Sequence, residues 1–197
     1  MATIPAAGEL VAVEGLHTLA GGPARCGTDR RSRPVLGFVT TFLRPGGFAG
    51  NARQWVRPIL GDGVVRLPYP ESGDSAIDER DIADTPAPVL LAGPGGPHDG
   101  TAPTLTGPES PARRQEVQIL ADALGREVRI DPVSHDEARA FMTATMPPFV
   151  TDSLLEYWAA ADGRPDQITD AVESVTGRPA RTFATWAREI AVPLTVG

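Results

Sequence analysis

One turn in this sequence has residue types that could hold a ligand. Residues 39–43 are β-branched and aromatic, which predicts a buried strand, and the strand ends at a turn with two glycines. In α/β proteins, ligands bind at the carboxyl ends of the strands. The glycines permit close approach to the backbone, Phe48 offers an aromatic face, and Asn51 can donate and accept hydrogen bonds. The candidate ligand-binding residues are Pro45, Gly46, Gly47, Phe48 and Asn51. An ordinary strand–helix connection, with Phe48 packed inward, is an equally strong interpretation.

A phosphate-binding loop has only a weak candidate. Leu10–Val13 predicts a short strand, and Gly15, Thr18 and Gly21 follow it, with two of the three glycines of a G-x-x-G-x-x-G turn. A dinucleotide site also needs a helix whose amino terminus points at the pyrophosphate. The next residues, Gly22 and Pro23, do not favour such a helix. Chance in a glycine-rich chain is the simpler explanation.

The chain has no lysine, since all 18 basic side chains are arginine. Schiff-base chemistry is therefore excluded, and so is a tyrosine activated by a lysine four residues later. Tyr157 has core spacing on a predicted helix, so packing is its simplest role. The sequence leaves the catalytic residues unknown.

Other catalytic and metal-binding devices are also missing from the pattern. The single cysteine, Cys26, has no evident histidine partner, and no G-x-S-x-G motif occurs. His17, His98 and His135 are too widely spaced for a metal-binding pair. We therefore expect no metal site.

Strands and helices are expected to alternate from residue 39 onward, with residues 1–38 a poorly patterned segment and 39–197 an α/β region. Strands are predicted at 39–43, 64–67, 104–106 and 127–133. Helices are predicted at 48–60, 78–91 with prolines interrupting, 110–125, 134–142, 147–161, 166–175 and 182–191. Ser110 is expected to cap one helix, and Ser134 with Glu137 forms a capping box for the next.

Composition excludes several classes of partner. A net charge of −7 disfavours nucleic acid, which attracts basic surfaces. The one basic segment, 25–33, is most simply a solvated loop. We expect no membrane span and a reducing, cytoplasmic location, because no apolar run is long enough and only one cysteine is present.

The region from about residue 40 to residue 190 resembles the NmrA-like proteins, which are atypical relatives of short-chain dehydrogenases. The matching segments, in order, are Thr41 to Phe48 with Asn51 and Trp55, Ile77 to Ala83, Leu105 to Ser110, Gly125-Arg126, Met146 to Phe149, Val172 to Pro179 and Thr182 to Ala187.

This resemblance implies an α/β fold with a partial Rossmann-like parallel sheet and an α-rich C-terminal substrate-side region. It implies NADP or NAD as cofactor, used by a reductase or a redox-sensing protein that acts on a small molecule. Residues 45–48 and Asn51 would then be cofactor-binding and lie near the nicotinamide. Asp78 and Asp81 would lie on the substrate side.

The chain also departs from the family. About forty residues stand where relatives have a glycine-rich turn and several βα units, and one βαβ unit takes about 30 residues. We therefore expect a truncated form with weak or no independent cofactor binding. The alternative is a non-catalytic binding module or a degenerate remnant, which could form homo-oligomers through an exposed sheet edge.

Overall fold

The computed structural model describes residues 10–13 and 40–195. The candidate phosphate loop at Gly15 to Gly21, the basic segment 25–33, Cys26 and His17 lie outside the described residues. The proposed division of the chain at residue 38 stays a prediction.

Parallel strands alternate with helices along the described chain, as the sequence predicts. The strands are β1 (Leu10–Val13), β2 (Thr40–Pro45), β3 (Val64–Leu67), β4 (Thr104–Leu105) and β5 (Arg129–Pro132). The helices are α1 (Arg53–Leu60), α2 (Glu79–Asp84), α3 (Pro86–Ala92), α4 (Arg113–Ala123), α5 (His135–Met142), α6 (Pro148–Ala161), α7 (Ala171–Thr176) and α8 (Phe183–Thr195). A 3-10 turn at Ala49–Ala52 leads into α1.

Two parallel sheets position the rest of the molecule. The first has the order β1-β2-β4, with Leu10 opposite Thr40 and Pro45 opposite Leu105. The second pairs β3 with β5, with Val65 opposite Ile130. The predicted α/β class, with helices concentrated toward the C-terminus, is confirmed. Within the described residues β1 pairs only with β2, and the predicted oligomerisation through this edge stays a prediction.

The core has three parts, and the largest lies where α1, α4 and α8 pack against β3. The apolar face of α4 is at its centre, because Val117, Leu120 and Ala121 are fully buried. A second part packs Leu43 and Leu105 of the first sheet against α3 and α7. A third joins α5 to α6. Among the described residues, no helix combines the length and apolarity needed to cross a membrane.

The predicted start of α4 is wrong by about three residues. Ser110 does not cap this helix; its Oγ accepts a hydrogen bond from the backbone N–H of Asp166, at 2.7 Å. The N-cap is Ala112, whose N–H donates to the side chain of Gln115. The local sequence predicts Ser110 as a helix cap, but its side chain instead bonds to a residue that is distant in sequence.

The helix predicted at 166–175 is also shorter than expected, because α7 begins at Ala171. The Asp166 carboxylate accepts hydrogen bonds from the N–H and Oγ of Ser75. The Thr169 N–H donates to Thr106 Oγ1, at 2.9 Å. These long-range contacts hold residues 166–170 against the sheet edge and replace the first helical turn.

Candidate functional site

A cavity of about 400 Å³ lies beyond the carboxyl ends of β2 and β4. The parallel register brings both strands to the same edge, where the chain turns away and leaves a concave surface. Five aromatic side chains line it: Phe48, Trp55, Tyr157, Trp158 and Phe183. Four charged side chains line it as well: Asp74, Arg113, Glu116 and Asp166.

The turn singled out from the sequence forms one wall of this cavity. Gly46, Gly47, Phe48 and Asn51 line it, whereas Pro45 is buried at the end of β2 and does not. Gly47 has a packing reason to be glycine, since a Cβ there would lie 2.8 Å from Asp74 Oδ1. The assignment of these residues to a cofactor stays a prediction.

Several backbone N–H groups of this turn are already used within the protein. Gly46 N–H donates to the carbonyl of Leu105 at 2.9 Å, and Ala49 N–H donates to the carbonyl of Ile77 at 2.9 Å. Asn51 N–H donates to the carbonyl of Phe48 at 3.0 Å. A phosphate cradle needs such donors free, so this turn suits the edge of a flat ring better than a pyrophosphate.

Arg113 is a buried cation on the opposite wall. Only 4% of the residue is exposed. Its Nη1 donates to the carbonyl of Pro68 at 2.6 Å, and its guanidinium lies 3.7 Å from the centre of the Trp158 ring. Burial lowers the pKa of Arg113 to about 10, and the carboxylates of Asp74 and Glu116 oppose that effect. The side chain is therefore still a cation at neutral pH.

Two carboxyls of the cavity have raised pKa values. Burial raises the pKa of Asp74 to about 6; Arg113 opposes this shift and Asp166 adds to it. Burial, and then the charge of Asp74, hold the pKa of Glu116 well above its ordinary range, and Arg113 only partly offsets them. Raised carboxyl pKa values in a cavity are typical of functional sites.

Tyr157 lines the cavity and is 37% exposed, so the packing role expected from its helical spacing is only partial. Burial, followed by the charges of Asp166 and Asp74 and a hydrogen bond to Asp166, raises the pKa of its phenol. The phenol is thus a weaker acid here than in water.

The two aspartates predicted on the substrate side lie in a separate ion-pair network and do not line the cavity. Asp78 caps α2, accepts from the N–H and Nε of Arg80, and is 2% exposed. Asp81 accepts from the backbone N–H of Arg181 at 2.7 Å and pairs with its guanidinium. These contacts are structural, and a substrate role for either residue stays a prediction.

The sequence reading missed Asp74, Arg113 and Glu116. For two of them a signal exists, because Arg113 and Glu116 continue the buried stripe of α4 one turn toward its start. Residues 113, 116, 117, 120, 121 and 124 share one helical face, and all are buried. Charged residues at buried-face positions are costly unless they serve a purpose. Asp74 lies in a loop and offers no such pattern.

No group of three or more histidine, cysteine or acidic side chains in the described part of the chain could hold a metal ion. The expectation of no metal site stays a prediction.

Two curated proteins that are similar to this chain are reductases. The chain is 35% identical, over 78% of its length, to a (4-alkanoyl-5-oxo-2,5-dihydrofuran-3-yl)methyl phosphate reductase from Streptomyces griseus. It is 36% identical, over 82% of its length, to an NAD(P)H azoreductase from Xenophilus azovorans. These alignments span 54% and 56% of the two relatives, so the chain covers about half their length. No family model matches the chain.

Solved structures confirm the Rossmann-like fold. An NADPH-dependent quinone oxidoreductase from Escherichia coli superposes with a TM-score of 0.65 at 21% identity, over 78% of this chain and 56% of that one. NmrA itself, as a double mutant, superposes with a TM-score of 0.55 at 17% identity, over 81% and 55% of the two chains. This chain matches the NmrA-like NAD(P)-binding proteins. The resemblance inferred from its motifs is consistent with this likeness of fold, and the cavity lies at the strand ends where such folds bind ligands.

Proposed function

We propose that this chain carries the substrate-side cavity of an NAD(P)H-linked reductase that acts on a small conjugated acceptor. The observation that carries the proposal is the cavity at the carboxyl ends of β2 and β4, which combines aromatic walls with buried acidic groups. Two relatives support it by name, the NAD(P)H azoreductase and the NADPH-dependent quinone oxidoreductase.

The residues of the cavity fit the nicotinamide end of the cofactor. Gly46 and Gly47 leave the wall open to a flat ring, Phe48 can stack on it, and Asn51 can bind its amide. When bound, the cofactor would supply a hydride. A volume of about 400 Å³ is in the range of a small-molecule site and too small to enclose a whole dinucleotide beside an acceptor.

The phosphates need several free donors, and this turn offers few, since the N–H groups of Gly46, Ala49 and Asn51 are engaged. We therefore expect weak cofactor binding by this chain. Losing a few charge-assisted hydrogen bonds removes several kcal/mol, on the order of 10²-fold or more in affinity.

Titration of the purified chain with NADPH and NADH, followed by calorimetry, tests the proposal. Saturable binding at or below about millimolar cofactor is expected. Phe48→Ala should weaken it several-fold, because a stacking surface is lost. Phe149→Ala is the matched control, since Phe149 lies on α6, is 64% exposed and is not among the residues that line the cavity. Absence of any signal for either cofactor at millimolar concentration would refute the proposal and favour a non-catalytic binding module.

A further inference from the structure

A buried carboxyl on the cavity wall has an oxygen without a hydrogen-bond partner. Glu116 is 2% exposed and lines the cavity. Its Oε1 makes no hydrogen bond within the protein. Burying a carboxyl oxygen without a partner destabilises the folded protein. An unpaired buried oxygen is typical of sites where a bound ligand supplies the missing hydrogen bond. The Oε1 of Glu116 therefore indicates where a polar atom of a ligand in the cavity would bind.

The surroundings of Glu116 favour its neutral form. Arg113, three residues earlier on α4, is the one cation that lowers its pKa, but this cation also faces Asp74 and binds the Pro68 carbonyl. Burial, Asp74 and Glu109 all raise the pKa of Glu116. The surroundings therefore favour the protonated form of Glu116, a carboxylic acid with a proton to give.

The other acids of the cavity suit proton donation less well. Asp74, with a pKa of about 6, is mostly ionised at neutral pH. Burial and two neighbouring carboxylates raise the pKa of the Tyr157 phenol, so it is a weak proton donor. A tyrosine in reductases can be activated by a nearby lysine, and this sequence contains none.

We propose that Glu116 is the acid that protonates an acceptor bound in the cavity, with Asp74 and Arg113 setting its environment. This inference rests on the proposed reductase function. A quinone that gains a hydride from a dihydronicotinamide gains two electrons and is left with an oxygen anion, and the nicotinamide is oxidised. The O–H bond of Glu116 then breaks and a new O–H bond forms on the acceptor. The carboxylate that remains is reprotonated from solvent, so each turnover consumes one proton.

Steady-state reduction of 1,4-naphthoquinone by NADPH tests this role. Glu116→Gln preserves the shape of the side chain but cannot transfer a proton. It should lower kcat about 100-fold, as expected for loss of general acid catalysis, with little change in KM. Wild-type kcat should fall as pH rises through the pKa of Glu116, and Glu116→Gln should lack this fall. Asp74→Asn should move the fall to lower pH, because a charge that raises the pKa of Glu116 is gone.

Two variants control for the exchange itself. Glu156→Gln makes the same change at an exposed position of α6 outside the cavity lining and should keep wild-type kcat. Tyr157→Phe removes the competing phenol from the cavity wall and keeps the ring, so it should lower kcat less than Glu116→Gln does. A larger loss in Tyr157→Phe than in Glu116→Gln would assign the proton to the tyrosine and overturn the proposal.

Infrared difference spectroscopy gives a readout that needs no turnover. The wild-type chain at neutral pH should show the carbonyl band of a protonated carboxylic acid, absent in Glu116→Gln and present in Glu156→Gln. A wild type without this band overturns the proposal even if the chain reduces quinones. Active wild-type protein with an equally active Glu116→Gln refutes the acid role alone. A wild type that neither binds NADPH nor reduces the quinone refutes the proposed function, and the acid role with it.

Discussion

Two clusters of arginines and carboxylates in this molecule have opposite electrostatics. In the cavity, Asp74 and Glu116 share the single cation of Arg113, and the pKa of both carboxyls is raised. In the surface network around α2, Arg80 lowers the pKa of Asp78 through hydrogen bonds and charge, despite a desolvation cost. Arg178 and Arg181 lower the pKa of Asp84 by hydrogen bonds.

Residue type does not explain this difference; the ratio of arginines to carboxylates and the exposure of the arginines do. The surface network has three arginines for three aspartates, and its arginines stay partly exposed although Asp78 and Asp81 are buried. The cavity has one arginine, itself buried, for the three carboxyls of Asp74, Glu116 and Asp166. A cluster with more buried carboxyls than cations lowers the stability of the folded protein, and such a cost is typical of sites that perform chemistry.

The largest expected contrast is in stability. Arg113→Leu should lower the free energy of unfolding by about 3 kcal/mol at neutral pH, because it leaves buried carboxyls without their cation and breaks the bond to the Pro68 carbonyl. Arg178→Leu removes an exposed pair with Asp84 and should cost less than about 1 kcal/mol. Urea unfolding measures both. Equal losses would show that the two clusters are energetically alike.

A contrast in sign is expected for two aspartates. Asp74 has a folded pKa of about 6, above its ordinary value of 3.8, so the folded state binds its proton more tightly than the unfolded state. The stability that it contributes is full at low pH and is lost as pH rises through about 6. Asp74→Asn should abolish this loss and raise the free energy of unfolding at neutral pH by up to about 2 kcal/mol.

Asp84→Asn is the opposing control. The pKa of Asp84 is lowered by Arg178 and Arg181, so its stabilisation is present at neutral pH and is lost as pH falls through the folded pKa. This variant should be less stable than wild type at neutral pH. Melting temperatures between about pH 2 and about pH 7 cover both transitions, because the folded pKa of Asp84 lies below 3.8. Destabilisation by both substitutions would contradict the described difference between the clusters.

The smallest contrast concerns two glycines that each face a carboxylate. A Cβ on Gly47 would lie 2.8 Å from Asp74 Oδ1, and a Cβ on Gly50 would collide with Glu79 Oε1. Both side chains are half-buried, but Glu79 has one more rotatable bond than Asp74, so its carboxylate can move away more easily. Gly47→Ala should therefore cost about 1 kcal/mol. Gly50→Ala should change stability by less than about 0.5 kcal/mol. Thermal unfolding measures both losses of stability. Equal losses would show that the cavity wall accommodates an added methyl group as easily as the surface does.

Local pattern predicted much of the fold. Val64–Leu67 was expected as a strand from its β-branched residues, and the capping box of Ser134 and Glu137 forms as predicted, with Ser134 Oγ accepting from the Glu137 N–H. Local pattern failed where a distant partner competes, as at Ser110, which bonds to Asp166 fifty-six residues away.

The site was predicted in part for the same reason. The Gly46–Gly47 turn can be recognised in the sequence because the strand, the glycines and the aromatic residue are consecutive. Four of the five predicted residues line the cavity. Its charged wall combines Asp74 from a loop, Arg113 and Glu116 from α4, and Asp166 from the loop before α7. Only the fold brings these segments together. Their shared environment, and so their pKa values, cannot be inferred from spacing along the chain.

The stacking of Arg113 on Trp158 has a practical consequence. With its guanidinium 3.7 Å from the ring centre, the indole is exposed to the electric field of the whole acidic cluster. A proton leaving Glu116 or Asp74 changes that field, and indole emission shifts in wavelength with the field across it. The protein thus contains an intrinsic optical reporter at the wall of its own cavity, which can follow protonation and ligand entry without an added dye.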